Sequence, residues 1–130
     1  MLAINPQLRI IASPWSAPAW MKTSANLIGG SLLEQFESSY ADYLVKYVDT
    51  YRSYGIPIFA LTLQNEPAFV PLTYPGMELP PATRARIIAQ YLGPALAQRS
   101  PKTLILGWDH NWDQPDQPLG VLGDLDAERY

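Results

Sequence analysis

Apolar and polar positions alternate in two styles along this chain. Short, nearly continuous apolar runs occur at residues 8–12, 58–63 and 103–108. Runs of that length with little alternation predict strands covered on both faces. Between the first two runs, Phe36, Tyr40, Tyr43, Leu44, Tyr47, Val48 and Tyr51 recur at helical spacing. Ser31 and Glu34 form a capping-box pair ahead of that helix, Gly55 suits its C-terminal cap, and Pro57 stops it. A second helix is expected between the second and third runs. Pro80 and Pro81 suit its first turn, Ile87, Ile88, Tyr91 and Leu92 give it an apolar face, and Gly93-Pro94 kinks or splits it. The order strand, helix, strand, helix, strand implies a parallel sheet with helical crossovers. Residues 113–130 are rich in Pro, Gly and Asp, and a helix is expected to begin near Asp124.

Length and composition narrow the class. One domain is the expectation for 130 residues, with an ordinary apolar fraction of 48%. Only 16% of residues are charged and the net charge is -3, which gives no basic footprint for nucleic acid. Thirteen prolines cluster between the apolar runs and mark loops. With no cysteine and a single histidine, the chain offers neither a thiolate metal site nor a His-rich metal centre, and no cofactor is expected. No basic, apolar leader is visible at the start, no apolar stretch has the length of a membrane span, and the compartment stays open.

Each predicted strand is followed by a polar and aromatic cluster. The first leads into Ser13-Pro14-Trp15-Ser16-Ala17-Pro18-Ala19-Trp20-Met21-Lys22, the second into Gln64-Asn65-Glu66-Pro67, and the third into Asp109-His110-Asn111-Trp112-Asp113. In a parallel sheet the three clusters emerge on one edge, where ligands of such folds bind. Glu66 is the candidate proton donor to a leaving oxygen, Asn65 the candidate partner of a sugar hydroxyl, and Trp15 a stacking ring. Asp109, His110 and Tyr74, the last on the loop after Glu66, are candidate cleft residues. The competing readings are plain ones: Glu66 as a surface carboxylate paired to Arg84 or Arg86, Trp20 as packing within its loop, and the Tyr stripe as helix packing. Glycosidic cleavage needs a carboxylic acid that stays protonated near neutrality, a condition produced by burial against rings or by a second carboxylate. A nucleotide-binding doubly wound fold is disfavoured, because no Gly-rich phosphate loop follows the first run.

The segments 12–23, 61–67, Tyr91-Leu92-Gly93-Pro94-Ala95-Leu96 and Asp109-His110-Asn111-Trp112-Asp113 together resemble glycoside hydrolase family 30, the glucosylceramidase-like group of retaining β-glycosidases. Asn-Glu-Pro alone occurs widely; the four segments in this order are specific. The resemblance implies an α/β fold, a partial (β/α)8 barrel whose third to fifth βα units occupy residues 1–130. It implies Glu66 as general acid/base, Asn65 on the 2-hydroxyl, and Trp15 in the sugar pocket, with Tyr74 and Asp109 matching less closely. It implies a β-linked glycoside or glycan as substrate. The family's nucleophile is a second Glu on the seventh strand, and none of Glu34, Glu37, Glu78 or Glu128 stands in a matching position. Half of the catalytic pair is therefore expected to be missing from these residues, with inactivity in isolation and self-association through open strand edges as consequences. A non-catalytic carbohydrate-binding piece and a half-barrel scaffold remain the rival expectations.

Overall fold

The computed structural model describes residues 2–130. Three short strands, β1 (Ile10–Ala12), β2 (Ile58–Thr62) and β3 (Leu104–Leu106), form one parallel sheet in the order β1-β2-β3. Ala12, Leu61 and Ile105 lie in register across it, as do Ile11, Ala60 and Leu104. A register irregularity falls between Ile10 and Ile11. The strands are shorter than the apolar runs that announce them, because pairing ends where the strand-end loops take over.

Helix α1 (Glu37–Ser53) carries the predicted stripe on one side. Tyr40, Ala41, Leu44, Val45 and Val48 are buried, whereas Tyr43 and Tyr51 lie exposed. The expected capping box does not form. Glu34 opens a 3-10 turn (Glu34–Phe36), α1 starts only at Glu37, and Ser31 lies in a bridge with Glu78. The Ser31 backbone donates to Thr23 Oγ1 instead, so loop pairing has claimed the residue a cap would need. At the other end the prediction holds. Gly55 has φ +75, its N–H donates to Arg52 O, and the Ile56 N–H donates to Tyr51 O. Those two bonds close the helix through a left-handed glycine.

The second helical segment runs as α2 (Pro81–Ile87), a π turn (Ile88–Leu92) and α3 (Gly93–Arg99). Pro94 lacks an N–H, so the ladder must lose a bond four residues earlier. A π turn placed just before it absorbs that loss without ending the helix. In the tail the helix expected near Asp124 forms, and one that was not expected precedes it. Helix α4 (Asp116–Leu122) forms despite Pro118 and Gly120, and α5 (Leu125–Glu128) follows, its N-terminus capped by Asp124 Oδ1 accepting from Asp126 and Ala127. Packing overrides propensity in α4: a Cβ at Gly120 would meet Pro81 Cβ at 2.8 Å, so only glycine lets α4 lie this close to α2.

The core sits between the helices and one face of the sheet. Ala12, Leu61, Leu63, Leu44, Val48, Ile87, Leu92 and Leu96 form a single buried cluster, with Ile105 packed against it. The expectation that both sheet faces are covered is corrected. On the opposite face Ile11 is 57% and Leu104 48% exposed. The helix layer has its own ionic tie: Glu37, buried, accepts from Arg86 Nε at 2.8 Å and Nη2 at 2.5 Å. The Arg86 guanidinium is held above its ordinary pKa by that bond.

Candidate active site

The loops after the three strands are laced together by hydrogen bonds at one end of the sheet. Leaving β2, the Asn65 N–H donates to Pro14 O and the Glu66 N–H donates to Asp109 O, both at 2.8 Å. The buried Gln64 side chain adds a bond from Nε2 to Trp15 O at 2.7 Å. Thr62 Oγ1 donates to Ser13 Oγ at 3.0 Å, and Ser13 Oγ donates in turn to the Asp109 carboxylate. The β2 loop is thus fastened to both neighbours through its backbone. That is why the three predicted clusters share a rim.

Glu66 stands at the centre of this lacing with φ +48. A left-handed backbone is unfavourable for a residue with a Cβ, and such strain persists only where the surroundings over-determine it. Here the Glu66 N–H is held by Asp109 O, and its own carbonyl accepts from the Phe69 N–H at 2.9 Å. The Glu66 side chain is 38% exposed, and its Oε1 lies 3.4 Å from His110 Nε2. The pairing with Arg84 or Arg86 is overturned. Arg86 binds Glu37, while Arg84 donates to Gly107 O at 2.5 Å and to Gln117 Oε1 at 2.7 Å. Burial pushes the Arg84 guanidinium down to about 10.

Each remaining candidate has a definite place. Trp15, 51% exposed, meets Tyr74 edge to face with ring centroids 5.7 Å apart. Asn65 presents a half-buried side chain that makes no hydrogen bond among the described residues. Asp109 uses one carboxylate oxygen on Ser13. His110 packs its ring against Trp108 at 5.7 Å, and Trp108 in turn lies 5.2 Å from the Arg84 guanidinium. His110 Nδ1 is buried without a partner among the described residues. Trp20 does not plug its loop as expected: it is 60% exposed and meets Phe36 of the 3-10 turn edge to face, with ring centroids 5.1 Å apart.

Five further residues build the rim without having been singled out in sequence as its members. Ser13, Thr62 and Gln64 make the lacing bonds, Tyr40 donates from its hydroxyl to Leu63 O at 2.7 Å, and Lys22 is buried beneath the β1 and β2 loops. Gln64 and Lys22 each stand where an apolar or aromatic stretch gives way to polar residues, a place where burial is not announced. Ser13 and Thr62 carried no signal. No helix is long and apolar enough to cross a membrane, and no cluster of three or more His, Cys, Asp or Glu side chains suits a metal ion, among the described residues.

Comparison with known proteins agrees with this geometry. The family model described as the glycosyl hydrolase family 30 TIM-barrel domain matches residues 1–130. Endo-1,6-beta-D-glucanase neg1 of Aspergillus fumigatus is 38% identical over 94% of this chain, which covers 28% of that protein. Lysosomal acid glucosylceramidase of Mus musculus is 35% identical over 95% of the chain, covering 26% of that protein. The solved structure of the endo-beta1,6-glucanase BT3312 superposes with a TM-score of 0.91 at 29% identity, over 99% of this chain and 31% of that one. The chain therefore spans between a quarter and a third of the length of these relatives. The sheet order, the helix layer and the family match together make it a part of a TIM barrel, and the chain belongs to glycoside hydrolase family 30.

Proposed function

We propose that these residues are the acid/base-bearing segment of a retaining β-glycosidase, the third to fifth βα units of its barrel. Glu66 is the general acid/base. Asn65 holds the sugar 2-hydroxyl, and the Trp15–Tyr74 pair forms an aromatic wall for a sugar face. Asp109 takes a hydroxyl with the carboxylate oxygen that Ser13 does not use. His110 Nε2 stands 3.4 Å from Glu66 Oε1, which leaves Oε2 to carry the transferred proton. In the first step Glu66 gives that proton to the glycosidic oxygen as the C1–O bond breaks and a second carboxylate bonds to C1. In the second step Glu66 takes a proton from water, whose oxygen bonds to C1 as the sugar ester breaks.

The observation that carries this reading is the strained, doubly fastened Glu66 between an aromatic pair and a polar pair on one rim. The second carboxyl must stand about 5–5.5 Å from the first. Glu37 is committed to Arg86 in the helix layer, and Glu78 lies in the loop between β2 and α2, where its N–H donates to Gly30 O. The partner carboxylate is accordingly assigned to residues outside these 130. The substrate is a β-glucoside or a related β-linked glycan, in keeping with the glucanase and glucosylceramidase names of the relatives.

The test joins or mixes this chain with segments that complete the barrel and compares Glu66 with Glu66→Gln. Turnover of a β-glucoside should fall by on the order of 10²–10⁴-fold, with oligosaccharide affinity changed less than about threefold. Undiminished turnover in the Gln variant would falsify the assignment.

A further inference from the structure

Lys22 is buried to 2% exposure, yet among the described residues it has no carboxylate partner. Its ammonium meets three neutral oxygens: Ser16 Oγ at 2.8 Å, Leu27 O at 2.7 Å and Gly76 O at 2.9 Å. An ammonium has three N–H donors, and all three are used. Burial without a counter-charge disfavours the charged form, and it pulls the Lys22 amine below its ordinary value. A methionine would fill the same space without that cost, so the packing need alone does not account for a lysine here.

Two of the three oxygens belong to the loop after β1, which also carries Lys22, and the third belongs to the loop after β2. Ser16 follows Trp15 directly. Gly76 lies two residues beyond Tyr74. Leu27 sits in the turn between them, which passes through left-handed Ala25, Gly29 and Gly30. Trp15 is 51% and Tyr74 38% exposed, so side-chain packing fixes each only in part. Their mutual geometry depends on the loops on which they stand, and Lys22, on the Trp15 loop, ties that loop to the Tyr74 loop through Ser16 Oγ and Gly76 O.

We propose that Lys22 is the positioning residue of the Trp15–Tyr74 wall, holding the two rings at the spacing that admits one sugar face between wall and rim. The functional half of this inference rests on the glycosidase reading; the geometric half does not. A point cation gathering several carbonyl and hydroxyl oxygens does here what a bound metal ion does in other loops. A misplacement near 1 Å at such a wall is enough to cost a large factor in recognition.

The experiment uses this chain joined to segments that complete the barrel, with Lys22→Met and a control, Val48→Ala, chosen to lower stability in the helix core. Two readouts are taken: nuclear Overhauser contacts between the Trp15 and Tyr74 rings, and the affinity for a β-linked glucotriose followed by tryptophan emission. Lys22→Met should melt cooperatively, lose the ring-to-ring contacts and weaken glucotriose at least about tenfold. Val48→Ala should keep both at a similar melting temperature. If Lys22→Met does not fold, Ser16→Ala removes one of the three acceptors and should weaken the ring contacts with little change in melting. Ring contacts that persist unchanged in the folded variant overturn the inference. Lost contacts in a chain that never binds glucotriose uphold the positioning role and sink the sugar reading instead.

Discussion

The two faces of the sheet differ in what completes them. On the helix side, Leu61 and its neighbours are sealed by α1, α2 and α3, and the cluster is closed by residues of this chain alone. On the other side, Ile11 and Leu104 stand open, although they occupy the register positions flanking buried Ala60. A βα unit therefore secures its own outer layer and relies on further strands for its inner one. The helix face holds the fold, while the candidate site lies on the rim at the strand ends, where the proposed function places the chemistry.

The sharpest way to break that contrast is to remove equal side chains from each face. Leu61→Ala should cost about 2–5 kcal/mol, since it leaves a cavity in a closed cluster. Ile11→Ala should cost less than about 1 kcal/mol, because the removed atoms were half solvated already. Urea unfolding of both variants checks this, and equal losses would mean that the open face is closed in solution.

A second, smaller effect lies where the helix layer touches the rim. Tyr40 is wholly buried and its hydroxyl donates to Leu63 O, the last carbonyl before the Gln64-Asn65-Glu66 segment. Tyr40→Phe strands that carbonyl and should cost about 1–3 kcal/mol. Burial, with the Tyr43 phenol nearby, raises the Tyr40 pKa far above 10.0. The neutral form is thus favoured by folding. Its contribution is fully present below the unfolded value of about 10 and is lost as pH rises beyond it. Stability measured from pH 8 to 11 should fall more steeply in the parent than in Tyr40→Phe. Parallel curves would show that the hydroxyl is not buried as described.

How much of this was legible follows the range of the interactions. The three apolar runs and the Tyr stripe of α1 reflect burial repeated at local spacing, and they emerge where expected. Gly55 and Pro57 act within a few residues and end α1 as read. Ser31, by contrast, has the chemistry of a cap but is taken by Thr23 and Glu78, partners that local spacing cannot anticipate. Helix α4 contradicts its own composition because Gly120 meets Pro81 and Gln117 meets Arg84 across the fold. At the rim, the residue types Trp15, Asn65, Glu66 and Asp109 were readable from their chemistry. The lacing that brings them together was not, because Ser13 and Thr62 are ordinary residues until Asp109 arrives from about a hundred positions away.

The open face also predicts association. Both outer strands have an unpaired edge within the sheet, and Ile11 and Leu104 present apolar surface beside them. The isolated chain should self-associate, and Leu104→Lys should weaken association by about tenfold through charge placed on the contact face. Sedimentation equilibrium distinguishes the two. A parent chain that stays monomeric across the range would show that this face is not adhesive.

The smallest effect tests the rim's own strain. Glu66 holds φ +48, a conformation glycine adopts without a steric penalty. Glu66→Gly should therefore leave the isolated chain as stable as the parent or more stable by about 0.5–1 kcal/mol, the relief of strain being partly offset by the entropy of a glycine in the unfolded state. Gly55→Ala is the mirror experiment. Its φ is +75 and a Cβ added there would meet no atom within 4 Å, so only backbone strain is introduced, and a loss of about 1 kcal/mol is expected. If Glu66→Gly destabilises as much as Gly55→Ala does, then the carboxylate is a structural member of the rim, and the left-handed backbone is not strain retained for the chemistry of its side chain.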